Sequence, residues 1–408
     1  MYEAESDGGF VVKMETKSAN WLGTLAGSAD AATTLMLLSL CLLVPTNDLG
    51  SNGIRFCFLW LLVRQPGLRA DWWQATRGLM LAGFAYLLIL GAMAFSPMHG
   101  LKDGWYTMQG LLFSLLACYL LRLPVEKLRS SALLAVIVMT LYAIGVLLFN
   151  FHRYGVHEAL TRQWLDSLVH RNRLAVGLAT AYLLAAAFSL TTPGGRQRAL
   201  FVACAVLLFV ISYINNSRGA LMGMVFASVA LGFLWNWRLT TVLAVATGLL
   251  LCLAWQQGWL EGHATHGGTI DNGRDDIWWA VWDRIRLHPW TGYGLHALPF
   301  DPVFNKLHPE LMKGHPHSIY IELVYASGII GVLFWLAWYW RMGVAVRRSF
   351  VAQARDTRYL GLAFVVYILV HGSVDFSFYA FAVPVTLIIG FVMLLAPLRQ
   401  PDASAGPA

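Results

Sequence analysis

Residues 315–340 read HPHSIYIELVYASGIIGVLFWLAWYW, and this stretch decides the fold. It opens on His315-Pro-His-Ser-Ile-Tyr-Ile-Glu322 and continues as an apolar run from about 318 to 340. About 20 mostly apolar residues suffice to cross a bilayer, so the run reads as a membrane span. Upstream, polar character extends back to Gln256 and includes His263, His266, Arg274, Asp275, Asp276, Arg284, Arg286, His288, His296 and His308. A charged, His-rich segment that passes without a spacer into a span belongs at a membrane surface, and chemistry is expected there.

The rest of the chain agrees with that reading. Of its 408 residues 58% are hydrophobic and 12% charged, whereas soluble domains average about a quarter charged. Seventeen Trp and fifteen Tyr suit the aromatic belts of a membrane protein. Cys41, Cys57, Cys118, Cys204 and Cys252 all fall in apolar runs without CxxC or Cys/His ligand spacing, so neither a disulfide framework nor a zinc site is read. The net charge of +7 comes from basic residues scattered through short loops, which points to orientation in a bilayer rather than to nucleic acid.

The first twenty residues are polar and lack the pattern of a removable signal peptide, so the first span is expected to direct insertion. Twelve spans are expected, at about 25–45, 50–63, 77–95, 105–121, 131–150, 174–192, 199–215, 219–236, 239–256, 318–340, 358–375 and 380–397. The fold class is therefore all-α and polytopic, with one large loop between helices nine and ten. It divides into membrane helices (1–256), the loop with short helices (257–317), and membrane helices with a tail (318–408).

With the N-terminus cytoplasmic, one side receives Arg64, Arg69, Arg77, Arg122, Lys127, Arg129, Arg196, Arg198, Arg238, Arg341, Arg347, Arg348, Arg355 and Arg358 in short connectors, as the positive-inside rule requires. Basic residues on the other side break that bias: Arg171 and Arg173, Arg218, and those of the long loop. An anionic ligand on the outer face accounts for them. For Arg171 and Arg173 snorkelling at a helix end remains the alternative, and Trp164, Leu165 and Leu168 before them mark a short surface helix. Arg218, in Asn215-Asn-Ser-Arg-Gly-Ala220 between two apolar runs, costs about 2.5–3.5 kcal/mol at that depth unless paired or hydrated.

Asp275 and Asp276 fit a first helical turn, where carboxylates favour the dipole; a divalent metal is the other use of such a pair. Trp278, Trp282 and Ile285 mark the apolar face of that helix, which Pro289 ends. His315 and His317 flank Pro316 at the interface, whereas His263, His266, His288, His296 and His308 read as solvated, and the His set matches no metal-ligand pattern such as HExxH. Asp375 either pairs with an outer arginine or orients a histidine.

Three groups together resemble the O-antigen ligase/polymerase superfamily, its ligase branch in particular: Ser217-Arg-Gly-Ala220 at a span end, Gly273-Arg-Asp-Asp-Ile-Trp278 in the large loop, and His317-Ser-Ile-Tyr-Ile-Glu322 with Gly328-Ile-Ile-Gly331. The resemblance implies an inner-membrane glycosyltransferase of lipopolysaccharide biosynthesis. Such an enzyme moves O-antigen from undecaprenyl diphosphate to a sugar of the lipid A core on the periplasmic face, without cofactor or metal. It implies His317 as catalytic base, with Arg218 and Arg274 on the diphosphate. Arg171, Arg173, His315, Tyr320 and Asp375 are expected to line the substrate site. Ser318 stands where the wider superfamily often has Asn, which leaves ligase and polymerase open and keeps His315 beside His317 as a candidate base. A protein O-oligosaccharyltransferase would share the chemistry. A lipid-linked saccharide transporter would need internal repeats or mid-span charges, and the sequence shows no repeat and few such charges.

The residue types suit that chemistry. Arginine offers a permanently charged planar fork that grips phosphate oxygens in pairs. Histidine, with an ordinary pKa of about 6.5, takes a proton from a hydroxyl near neutral pH. Direct attack opposite the leaving diphosphate inverts the anomeric centre.

Overall fold

The computed structural model describes residues 27–45, 48–156, 171–215, 217–256, 274–311, 315–352, 355–379 and 381–398. Its helices are α1 (Ala31–Leu42), α2 (Asp48–Arg64), α3 (Pro66–Met93), α4 (Pro97–Leu112), α5 (Ser114–Arg122), α6 (Val125–Tyr154), α7 (Arg171–Thr191), α8 (Arg196–Ile214), α9 (Arg218–Gln256), α10 (Arg274–Ile285), α11 (Pro302–Leu307), α12 (Ile319–Ser349), α13 (Arg355–Gly372) and α14 (Ala382–Leu395). Among the described residues extended chain pairs only at an isolated bridge, Ala352 with Leu398. The all-helical expectation holds. The surface helix expected around Trp164–Leu168 lies outside the described residues, as do His263 and His266.

Helix boundaries follow local chemistry. Proline opens α3 and α4, where its missing N–H costs nothing. Asp30 caps α1 by accepting from the Thr33 N–H at 2.8 Å. Helical segments occupy each of the twelve expected positions, and among the described residues seven stretches are long and apolar enough to cross a membrane. The apolar α1 and α14 are shorter, at 12 and 14 residues. The expected eighth and ninth spans are one helical stretch broken at Asn236 (φ −154°, ψ 92°), where the chain turns so sharply that Thr240 lies against Gly232. The eleventh stops at Gly372, which leaves Asp375 in the turn beyond.

Consecutive helices sort the connections into two ends. At one end Arg129 grips Asp356 through two bonds (2.7 and 3.1 Å) and donates to the Thr191 carbonyl, tying α6, α7 and α13. The Arg122–Asp71 pair (2.6 Å) lies at this end too. The other end, called here the loop end, carries residues 274–311, which fold around a small core of their own that includes Ile277, Val281, Ile285, Phe304 and Tyr325. Inside it Asp301 is fully buried, takes two bonds from Arg284 (2.8 and 3.1 Å) and one from the Tyr325 hydroxyl (2.8 Å), and caps α11. Burial alone would raise the Asp301 pKa, but Arg284, the Phe304 N–H and Tyr325 overcome that and leave it lowered.

This segment is built into α12. At Gly328 the helix breaks (φ 60°, ψ −169°), and a side chain there would fall 2.3 Å from the Trp290 carbonyl. Only glycine accepts that conformation at that distance. The loop supplies the interrupted backbone bonds: Ile329 and Ile330 donate to the carbonyls of Pro289 and Trp290 (2.9 and 3.1 Å), while Tyr293 and Gly294 donate to those of Tyr325 and Ala326 (2.9 and 2.8 Å). A buried break in a helix is tolerated when its freed groups find such partners. The residues from Ile319 to Ser327 thus form a short helix held by the loop.

Candidate functional site

His315–Ser318, the short helix that follows, the turn after α13 and the start of α10 meet at the loop end. Asp375 is their common point. Its Oδ1 lies 3.5 Å from Arg274 Nη2 and 3.5 Å from His317 Nδ1, and its Oδ2 lies 3.5 Å from His371 Nε2. Both uses foreseen for Asp375, an arginine partner and a histidine partner, are present together. The carboxylate is 13% exposed. Burial opposes its ionisation, but His317, His371 and Arg274 outweigh that and hold its pKa well below the usual carboxylate range. Glu322 fixes the turn from behind, accepting from the Ser377 hydroxyl (2.8 Å) and from the Phe378 N–H.

His317 adopts φ 54°, left-handed for a residue with a side chain. Such a conformation persists only where the surroundings over-determine it. Here the His317 N–H donates to His315 Nδ1 (3.1 Å), the Trp278 indole donates to the Pro316 carbonyl (2.8 Å), and Nδ1 of the His317 ring is enclosed against Asp375. The side chain remains 30% exposed, so the accessible edge carries Nε2. His315 packs its ring 4.3 Å from that of His317. Burial first, then the His317 and Arg274 charges, push its pKa down to about 4, so the His315 ring is a neutral acceptor near pH 7. That separates the two histidines: one orients a backbone, the other presents a nitrogen.

Arg218 is the exposed first residue of α9. Its neighbour Gly219 packs so closely on the α13 terminus that a Cβ would sit 2.7 Å from His371 Cδ2 and 3.0 Å from Val374. The α9 start therefore abuts the turn that carries Asp375. Arg171 opens α7 and Arg173 follows it, exposed; α7 packs against α9 and α13, which places both at the same end. Tyr320 uses its hydroxyl to donate to the Leu369 carbonyl (2.9 Å), tying α12 to α13 while its ring stays exposed.

One side chain was given no role in the sequence reading. His371 is completely buried, with Nδ1 2.8 Å from the Tyr367 hydroxyl and Nε2 toward Asp375. The i, i+4 spacing of His371 and Asp375 was the available signal. Two expectations need correction. His296 is not solvated: it pairs with Asp103 at 2.7 Å and stacks on His99. The buried face of α10 is Ile277, Ala280, Val281 and Ile285; Trp282 is exposed, and Trp278 turns its indole N–H to the Pro316 carbonyl. This helix packs its aliphatic groups inward and keeps its tryptophans toward the rim.

Fold and geometry define a multi-pass helical membrane protein with a cationic, imidazole-bearing site at one end of its bundle. Residues 203–336 match the O-antigen ligase family, a stretch that holds Arg218, Arg274, His315, His317 and Tyr320. The chain is also similar to an O-antigen ligase of Pseudomonas aeruginosa, 35% identical over 66 residues, which span 16% of this chain and 16% of that protein.

Proposed function

We propose that the protein is an O-antigen ligase: it transfers O-antigen from undecaprenyl diphosphate to a sugar hydroxyl of the lipid A core at the periplasmic face of the inner membrane. The observation that carries this reading is the convergence of Arg274 and His317 on one buried carboxylate, Asp375. Asp375 holds the proton of His317 on Nδ1 and stabilises the imidazolium that forms, the role a carboxylate plays behind a histidine base. Nε2 then accepts the proton of the acceptor hydroxyl as its oxygen attacks the anomeric carbon. The bond to the diphosphate breaks on the opposite side, which inverts that centre. Arg274 spends one nitrogen on Asp375 and keeps others for the diphosphate, and Arg218 meets it from the α9 start. Arg171 and Arg173 extend the cationic surface toward the donor. On this reading 1–256 and 318–408 form the membrane body and 257–317 the periplasmic part.

The test is transfer from undecaprenyl-diphosphate oligosaccharide to lipid A core by purified protein in detergent. Arg218→Ala, Arg274→Ala and His317→Ala should each insert normally and lower the rate by about 10²–10³ or more. Wild-type rates in all three would displace the site. Activity should persist in excess EDTA; loss restored by Mg²⁺ would move Asp275 and Asp276, which sit exposed in the first turn of α10, to the centre. Ser318 favours keeping one second reading, in which the same chemistry serves a polymerase or a protein O-oligosaccharyltransferase. Product analysis separates them: chain extension on the carrier marks the polymerase, glycosylated polypeptide the protein transferase. Any transfer without a membrane to cross excludes a transporter.

A further inference from the structure

A cleft of about 410 Å³ opens between α3 and α12, at the end of the bundle away from Asp375. Its walls include the small residues Ala75, Gly78 and Ala345, and a side chain added at Gly78 would meet nothing within 4 Å. Arg341 and Arg348 also line it. They are both exposed and stand two turns apart on one face of α12, about 10.5 Å along its axis. Among the described residues neither makes an ion pair. Exposed Trp73 on α3 and Trp340 on α12 lie at the same end of the bundle as the cleft, and such residues settle at the headgroup level of a bilayer. They place Arg341, next to Trp340, among the phosphates. Toward the middle of the bundle the same two helices expose Leu81 and Leu336.

We propose that this cleft seats one anionic glycerophospholipid, its phosphate between Arg341 and Arg348 and its chains along Leu81 and Leu336. Small residues make the recess, the arginines supply the charge complement, and the tryptophans fix the depth at which the two meet. Arginine pockets between membrane helices select anionic headgroups over zwitterionic ones for this reason. The site lies far from the His317–Asp375 group and does not depend on the reaction proposed for it.

Native mass spectrometry of the full chain with phosphatidylglycerol or phosphatidylethanolamine tests the site. Wild type should retain phosphatidylglycerol preferentially. The Arg341→Ala/Arg348→Ala pair should bind it about tenfold more weakly or worse, since each cation near a headgroup contributes appreciably. Gly78→Leu, which fills the recess and keeps both charges, should also displace it; if the arginine pair fails to fold, Gly78→Leu decides alone. Arg64→Ala/Arg198→Ala, with equal charge lost elsewhere at that end, should bind as wild type. The proposal is overturned by equal retention of the two lipids, by a folded cleft variant that binds as wild type, by equal loss in the Arg64/Arg198 control, or by displacement with millimolar inorganic phosphate.

Discussion

The left-handed backbone at His317 separates strain from chemistry. His317→Gly and His317→Ala both remove the imidazole, but glycine relaxes φ 54° at no steric cost. The glycine variant should therefore melt higher than the alanine variant, by about 1 kcal/mol of stability, while both lack transfer. Asp375→Asn keeps the shape of the turn and removes the charge behind the ring; transfer should fall by about 10²–10⁴. A normal rate in that variant would show that the carboxylate serves the fold alone. His315 gives a pH signature. Its folded pKa is about 4, whereas the unfolded chain binds that proton near 6.5. Between those values the unfolded state holds more protons, so stability rises with pH and is lost as pH falls from about 6.5 toward 4. His315→Asn retains an acceptor for the His317 N–H without titrating. Its melting temperature should vary less across that window; an unchanged slope would assign the effect to another group. At this scale the sequence was informative where charge is costly: Arg218, Arg274, His317 and Asp375 stand out because a bilayer surface penalises them. His371 stayed hidden because a lone histidine inside an apolar run reads as core.

At the scale of the element, Gly328 is the most exacting position. Gly328→Ala forces a Cβ to within 2.3 Å of the Trp290 carbonyl and an unfavourable φ, so the 289–294 loop must leave α12. The variant should still insert in the membrane, yet lose transfer and become open to proteolysis within 274–311. Wild-type protease resistance would show that the loop is held by other contacts. This break was not legible. Residues 318–340 are uniformly apolar, and hydropathy carries no mark of an interruption whose bonds are satisfied by a distant loop; only the glycines at 328 and 331 hint at it. The apolar face of α10 was misread for a related reason, since tryptophan is both a large apolar body and a hydrogen-bond donor, and Trp278 is placed by the second property.

For the whole molecule, the positions of the helices were readable because the bilayer demands length and apolarity, although among the described residues only seven stretches meet both demands in full. Their mutual packing was not, because a lipid-facing leucine and a helix-facing leucine are the same residue in much the same solvent. The two ends make a direct prediction about sidedness. Met98, exposed in the first turn of α4, lies at the loop end, and Gly194, exposed between α7 and α8, lies at the Arg129–Asp356 end. In a background with Cys252 replaced, Met98→Cys should react with an impermeant thiol reagent added outside intact spheroplasts, and Gly194→Cys only after lysis. The four described cysteines are buried and should stay silent. Labelling of both from outside would reject the orientation. The four backbone bonds that stitch residues 289–294 into α12 reach further still. Cut from the membrane and produced alone, residues 274–311 would face water with an unpaired edge and no template for His317, so grafting this loop onto a water-soluble scaffold would transplant its sequence but not its chemistry.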